Sequence, residues 1–231
     1  MSIQENIAEL RRRIDAAARE SGRTGADIVL VGASKMNDAA TCQEAIAAGI
    51  DALGENRVQE MTGKLAVNAY EGKPLYFIGH LRRYKVKQVV GKADLIQSVG
   101  SLPLLREIEK VAAKQELVQE ILLEVNIGGE EAKSGFAPEE VRAAAQEAMT
   151  LEHVRLRGLM TIPPVEKEIH GNMAYFQNLY ALYVDINEKV CDNKMEYISM
   201  GMSGDFEDAI RCGSNMVRLG TAIFGQRNYN R

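Results

Sequence analysis

The stretch Ile28-Val29-Leu30-Val31-Gly32-Ala33-Ser34-Lys35 decides the fold and points to the chemistry. Its first four residues form an uninterrupted apolar run, which is typical of a parallel strand buried on both faces. Lys35 follows this strand directly, just before a helix predicted to begin near Asn37-Asp38. Functional groups of α/β proteins lie at the carboxyl ends of such strands. Burial would lower the pKa of the Lys35 amine and make it a nucleophile, although a strand-end lysine that simply reaches into water is an alternative.

The same pattern of apolar run, polar break and helical stretch repeats along the chain. A first helix is predicted over residues 2–21, because Ser2-Ile3-Gln4-Glu5 fits a capping box. Eight strands are then predicted to end at Ser34, Gly54, Gly79, Ser98, Asn126, Met160, Met200 and Leu219. Helices are predicted between them over Ala39–Ala48, Arg57–Val67, Leu104–Lys114, Pro138–Met149, Ala174–Val190 and Asp205–Cys212. Eight alternating units predict a single-domain α/β fold over residues 1–231, a (β/α)8 TIM barrel, with an open doubly wound sheet as the alternative.

Composition excludes several functional classes. The chain has 231 residues, 46% of them hydrophobic, and a net charge of −4, so a nucleic-acid partner has little support. Three cysteines and three histidines lie far apart, which predicts neither disulfides nor a metal site and favours a reducing cytoplasm. No signal peptide or membrane-spanning run is present, so no membrane role is expected.

Two loops near the C-terminus predict a phosphate site. Ser199–Asp205 and Arg218–Gly225 each lead from a strand end through glycine and a hydroxyl residue into a helix. Small residues allow backbone N–H groups to approach an anion, and in TIM barrels the loops after strands seven and eight often bind phosphate. Each loop could instead be a tight turn that requires glycine. Taken together, in these two positions of the barrel, they favour a phosphate.

A strand-one lysine opposite a phosphate cup suits pyridoxal 5′-phosphate (PLP), whose aldehyde and phosphate must both be held. Arg218, at the end of strand eight, would then face the pyridine nitrogen. A guanidinium stays protonated, so it would keep that nitrogen unprotonated and weaken the ring as an electron sink. A salt bridge from Arg218 to a phosphate or carboxylate is the alternative interpretation.

Motifs from one end of the chain to the other resemble the pyridoxal phosphate homeostasis protein family. They are Val31-Gly32-Ala33-Ser34-Lys35, Gly54-Glu55-Asn56-Arg57-Val58-Gln59-Glu60, Leu123-Glu124-Val125-Asn126, Arg157-Gly158-Leu159-Met160, Ser199-Met200-Gly201-Met202-Ser203 and Val217-Arg218-Leu219-Gly220-Thr221-Ala222-Ile223-Phe224-Gly225. One stretch departs from the family pattern: Tyr76–Lys85 has tyrosine for a histidine and arginine and tyrosine for a glutamine and an asparagine, which leaves the role of that loop open.

The resemblance implies a barrel like the N-terminal domain of bacterial alanine racemase, the type III fold of PLP enzymes. It implies that Lys35 carries PLP as an internal aldimine. Of the other cofactor-binding positions, Ser203, Gly220 and Thr221 would hold the phosphate, Arg218 the ring nitrogen and Asn56 the ring surroundings. It implies a non-catalytic, monomeric, cytoplasmic protein that buffers PLP or delivers it to apo PLP-dependent enzymes, with no catalytic residue.

Two enzymatic alternatives compete with this carrier function. An amino-acid racemase needs an acid/base on each face of the substrate carbon. Lys35 could serve one face, but alanine racemase takes the other base from a C-terminal β domain, for which the sequence after the last strand leaves no room. A Schiff-base aldolase also combines a lysine with a phosphate cup, but its lysine usually comes from a later strand and Arg218 would meet no ring nitrogen. The carrier is favoured, with a low-activity racemase second.

Overall fold

Eight parallel strands close into a barrel in which neighbours in sequence are neighbours in space and β8 pairs with β1. The computed structural model describes residues 2–130, 133–165 and 168–225. The strands are β1 Val29–Ala33, β2 Ala52–Glu55, β3 Leu75–Phe77, β4 Leu95–Val99, β5 Gln119–Glu124, β6 Val154–Met160, β7 Tyr197–Ser199 and β8 Met216–Leu219. The barrel predicted from the sequence is confirmed, and each strand ends within two residues of its predicted end. The predicted domain extends to residue 231, and its last six residues lie outside the described part.

Helices follow the strands around the outside. They are α1 Ile3–Glu20, α2 Ala39–Ala47, α3 Val58–Leu65, α4 Leu102–Lys114, α5 Val141–Ala148, α6 Met173–Lys189, α7 Phe206–Arg211 and α8 Thr221–Phe224. Short 3₁₀ helices span Gly25–Asp27 and Arg83–Gln88. The connection between β3 and β4 therefore holds only a 3₁₀ helix, with Arg83 and Tyr84 exposed, in the stretch that departs from the family pattern.

Two helices begin more than one residue away from their predicted starts. Helix α4 begins two residues early, because Pro103 is tolerated in the first turn, where its missing N–H would have no partner. Helix α5 begins three residues late. Glu140 bonds the backbone N–H of Ala137 instead, and the segment from Ala137 to Glu140 forms a turn.

The core has two layers separated by the barrel wall. Inside, one apolar residue from each of seven strands packs around the axis: Val31, Ala52, Tyr76, Leu95, Leu122, Met160 and Met216. Outside, residues of opposite parity, such as Leu30, Leu53 and Val217, pack under the helices. Side chains of a strand alternate between the two faces, so this division fixes which residues reach the barrel interior.

The first helix covers the barrel beside β8 and β1. Its capping box is confirmed: Ser2 Oγ accepts from Glu5 N at 3.2 Å, and Glu5 accepts from Ser2 N at 2.7 Å. Ile7, Leu10 and Ile14 are buried, and Asn6 bonds the Ile223 carbonyl of α8 at 2.9 Å. Within the described ranges, no helix has the length and apolar character required to cross a membrane.

Candidate cofactor site at the carboxyl ends of the strands

Barrel closure brings the predicted site residues to one continuous arc of the rim. The wall runs β7, β8, β1, β2 in that order, and each pair of neighbours is parallel. Ser203 follows β7, Gly220 and Thr221 follow β8, Lys35 follows β1, and Asn56 follows β2. Strands one and eight lie far apart in sequence, so only closure makes them neighbours.

Strand alternation puts the Arg218 side chain on the interior face, and Lys35 follows an inward-facing part of β1. Val29 and Val31 of β1 face inward, and β1 ends at Ala33, two residues before Lys35. Register pairs Val31 with Arg218, which is inward-facing like Met216 two residues before it. The side chain of Lys35 is half-buried. Its burial is intermediate between the two alternatives that the sequence left open, a solvated lysine and a buried amine.

The turn that carries Lys35 has an uncommon backbone conformation. Met36 has φ +64°, in the left-handed region that non-glycine residues seldom adopt, and its side chain is exposed. Helix α2 begins shortly afterwards, where Asp38 caps it by accepting from Thr41 N at 2.8 Å. Lys35 therefore lies on a sharp, well-defined corner between β1 and α2.

Asn56 provides a buried acceptor on the same arc. Its side-chain oxygen is buried and has no hydrogen-bond partner among the described residues. A Cβ on Gly79 would lie 2.2 Å from the Asn56 carbonyl oxygen, so only glycine fits opposite it. A buried polar atom without a partner costs free energy, and a ligand with an N–H or O–H donor would remove that cost.

The two predicted phosphate loops touch each other. Ser203 Oγ accepts from the backbone N–H of Ala222 at 3.3 Å, which ties the β7 loop to the first turn of α8. A Cβ on Gly220 would lie 3.6 Å from both the Cβ and the carbonyl oxygen of Ala33, so this loop also abuts β1. Gly201 has φ +99°, a conformation that favours glycine. This agrees with the alternative that the loop after β7 is a tight turn that requires glycine. Around Gly204 a Cβ would meet no atom within 4 Å, so the loop is open on that side.

Arg218 is buried in the barrel interior and is held by neutral acceptors. Its side chain donates to Ser199 Oγ at 2.6 Å and to the Thr161 carbonyl at 2.8 Å. Ser199 in turn donates to Gln97 at 2.7 Å. Among the described residues these hydrogen bonds of the Arg218 guanidinium go to neutral oxygens, so the alternative of a salt bridge to a carboxylate is not seen there.

Burial lowers the pKa of Arg218 to about 10, while the more distant charges of Glu124 and Asp205 act in the opposite direction. The guanidinium is therefore still protonated at neutral pH. It has five N–H donors, of which these two bonds use two.

Two further groups at the rim were missed by sequence reasoning. Glu124 ends β5 on the interior face and is 6% exposed, and burial raises the pKa of its carboxyl, against the effect of its bond from Ser134 at 3.2 Å. It lines a cavity of about 480 Å³ with His80, Lys133 and Ser134.

The second group surrounds Glu55, just behind the Lys35 turn. Glu124 and Glu55 both lie in the family-like motifs quoted above, but those motifs indicated no role for either residue.

Comparison with known proteins bears on this arrangement. The sequence model of the alanine racemase N-terminal domain matches residues 2–228. The pyridoxal phosphate homeostasis protein of Aquifex aeolicus is 38% identical over 229 residues, which cover 99% of this chain and 100% of that protein. The chain belongs to the pyridoxal phosphate homeostasis protein family.

Solved structures agree with the family and with the fold. PipY of Synechococcus elongatus, in a structure with PLP bound, has 28% identity and a TM-score of 0.84, with 97% of this chain and 100% of that chain covered. An alanine racemase of Clostridium difficile 630 is 17% identical with a TM-score of 0.73, and 96% of this chain covers 57% of it. The second likeness concerns the fold alone, and it confirms the racemase-like barrel. The roles of the individual site residues remain predictions.

Proposed function

We propose that this protein binds PLP at the β7–β8–β1–β2 arc and takes part in PLP homeostasis by buffering the cofactor or delivering it. One observation carries the proposal: the end of β1 at Ala33, two residues before Lys35, abuts the β8 loop at Gly220, and that loop is hydrogen-bonded to the β7 loop through Ser203. A lysine beside an anion-binding loop is what a phosphorylated aldehyde requires. The family and the PLP-bound structure of PipY support the same ligand.

The residues present fit this cofactor. Lys35 would supply the amine, and PLP when bound would supply an aldehyde that forms a C=N bond with an amine and releases one water. Ser203, Gly220 and Thr221 would hold the phosphate. Asn56 would accept a hydrogen bond through its buried oxygen, which has no partner among the described residues.

Arg218 supports a carrier rather than a racemase. A protonated guanidinium at the pyridine nitrogen donates to that nitrogen and leaves no proton on it. Carbanion chemistry depends on the pyridine ring as an electron sink. A ring whose nitrogen is unprotonated is a weaker electron sink, so this arrangement disfavours carbanion chemistry. We therefore favour a protein with little or no turnover, and apo PLP-dependent enzymes as the recipients of the cofactor.

The remaining parts of the proposal are a monomeric state and a reducing, cytoplasmic setting. All three cysteines are free and buried, and burial raises the pKa of each thiol, which makes them unreactive. Sedimentation of the PLP-loaded protein over a range of concentrations tests the monomer.

The function itself is tested in two parallel assays on the PLP-loaded protein. In the first, it is mixed with an apo PLP-dependent enzyme, and recovered enzyme activity is compared with recovery from the same concentration of free PLP. In the second, D- and L-amino acids are incubated with it, and racemisation and transamination are followed by chiral chromatography. We expect transfer and no significant turnover. Racemisation at about 1 per second or faster would replace the carrier with the racemase.

A further inference from the structure

A buried ion pair lies behind the Lys35 corner, on the outer side of the barrel wall. Lys64 Nζ of α3 is 2.5 Å from Glu55 Oε1, 3.1 Å from Glu60 Oε1 and 2.8 Å from the carbonyl oxygen of Ser34. Glu55 is 0% exposed and Lys64 8% exposed. Both charged side chains are therefore buried, and they lie at the edge of the proposed cofactor site.

Further hydrogen bonds join Glu55 to Ser34, the residue that follows β1, and to Tyr70. Glu55 Oε1 also accepts from Ser34 Oγ at 2.6 Å and from the Tyr70 hydroxyl at 3.1 Å. Its other oxygen is buried with no partner in the described ranges. Desolvation offsets most of what a buried ion pair gains, so fold stability alone is a weak reason for such a group.

The same group holds the backbone on both sides of Lys35. Lys64 binds the carbonyl of Ser34, the residue before it, and Glu60 accepts from the backbone N–H of Met36, the residue after it. Met36 has the left-handed conformation described above, which persists only where surrounding contacts impose it. Side chains of helix α3 thus form hydrogen bonds with the two peptide groups on either side of Lys35, which set the direction of its side chain.

We propose that Lys64, together with Glu60, is a positioning residue that fixes the Lys35 corner so that the lysine amine meets the cofactor aldehyde. This inference rests on the proposed function of Lys35. Neither residue would touch PLP, because both lie outside the barrel wall and act through the backbone. The expected signature is a loss of covalent attachment without a loss of phosphate binding.

The test separates these two steps in the full-length protein freed of cofactor. Stopped-flow absorbance at increasing PLP concentration gives a limiting rate of covalent attachment and a half-saturating concentration. Pyridoxine 5′-phosphate, which has no aldehyde, measures binding alone. In Lys64→Met we expect the limiting rate to fall about 100-fold, the effect of a misplacement of roughly 1 Å, while binding of pyridoxine 5′-phosphate stays within about twofold.

Three further variants make the result decisive. Lys114→Met removes an exposed lysine at the end of α4 and should behave like the wild type. Lys64→Arg keeps a cation with several donors and should recover part of the lost rate. Glu60→Gln keeps an acceptor for Met36 but loses the charge, and should slow attachment about threefold to tenfold. Glu60 is half-buried, so this variant decides the matter if Lys64→Met does not fold.

Wild-type limiting rates in both Lys64→Met and Glu60→Gln would overturn the positioning role and leave the proposed function intact. A parallel loss of pyridoxine 5′-phosphate binding in the folded variants would also overturn it, because the damage would then be general. If the wild type itself formed no borohydride-stable link to PLP, the function proposed for Lys35 would fall, and the positioning role with it.

Discussion

Two buried cations lie on opposite sides of the barrel wall, and their partners differ. Arg218, inside, is held by a serine hydroxyl and a backbone carbonyl, both neutral. Lys64, outside, is held by two carboxylates as well as a carbonyl. Burial opposes both charges. The carboxylates outweigh it for Lys64, whose pKa is raised, but not for Arg218, whose pKa falls to about 10.

The difference separates a charge held by neutral acceptors from a charge paired with carboxylates. The charge of Lys64 is balanced by the carboxylates of Glu55 and Glu60, so Lys64 can only hold its neighbours in place. Arg218 is buried, and its hydrogen bonds to the described residues go to neutral oxygens. Burying a charge in this way is costly unless a partner arrives, and a cofactor nitrogen or other acceptor in the mouth would be that partner. Lys35 lies on the corner between the two.

The largest expected effect comes from removing the residue between the two cations. Lys35→Ala should abolish the borohydride-stable link completely, while non-covalent PLP binding remains measurable. The contacts proposed for Ser203, Gly220, Thr221 and Arg218 would survive, and charge-assisted hydrogen bonds contribute roughly 1.5–3 kcal/mol each. Equilibrium dialysis measures the remaining binding. A complete loss would mean that the phosphate cup lies elsewhere.

Breaking the outer pair should reduce stability more than removing it altogether. Lys64→Met leaves the Glu55 carboxylate buried and should lower the free energy of unfolding by about 3–5 kcal/mol. Glu55→Gln combined with Lys64→Met removes both charges and should lower it by only about 1–2 kcal/mol. Urea unfolding measures both, with Lys114→Met as the control. Equal losses in the single and double variants would show that the unpaired Glu55 carboxylate is not what destabilises Lys64→Met.

The inner cation should be visible in the cofactor spectrum. Arg218→Glu places a carboxylate beside the ring nitrogen, which favours its protonated form, so the visible absorption of the PLP-loaded protein should change with pH differently from the wild type. Arg218→Gln keeps N–H donors without the charge and serves as the matched control. Superimposable pH titrations of wild type and Arg218→Glu, both folded and loaded, would show that Arg218 does not face the ring.

The smallest expected effect is an opposite response of the two cations to alkali. The pKa of Lys64 is raised above 10.5 in the folded protein, so its stabilisation is complete below that pH and is lost as the pH rises through the folded value. The pKa of Arg218 is lowered from 12.5 to about 10, so the unfolded chain binds more protons between these values and stability rises with pH there.

Urea unfolding at about pH 9 and about pH 11.5 tests this difference. Relative to the wild type, the Glu55→Gln/Lys64→Met variant should appear less destabilised at the higher pH. Arg218→Gln should appear more destabilised there, because only the wild type gains from deprotonation. Shifts in the same direction for both variants would remove the distinction drawn between the two sites.

Sequence patterns predicted the inner side of the wall far better than the outer side. Apolar runs mark the strands, and the glycine-containing ends of β7 and β8 mark the loops, because both signals are local. The outer group depends on barrel register and on packing. Ser34 meets Glu55 only because β1 and β2 pair with Ala33 opposite Gly54, and Lys64 reaches Ser34 from a helix 30 residues away. A lysine on a helix otherwise resembles any solvated surface residue.

Covalent attachment of PLP to Lys35 is tested most directly by mapping the label. The PLP-loaded protein is reduced with borohydride, digested, and the modified lysine is located by peptide mass spectrometry. We expect a single modified residue, Lys35, in the wild type and none in Lys35→Ala. A label on any other lysine, or no label in a protein that retains PLP, would contradict the proposed site.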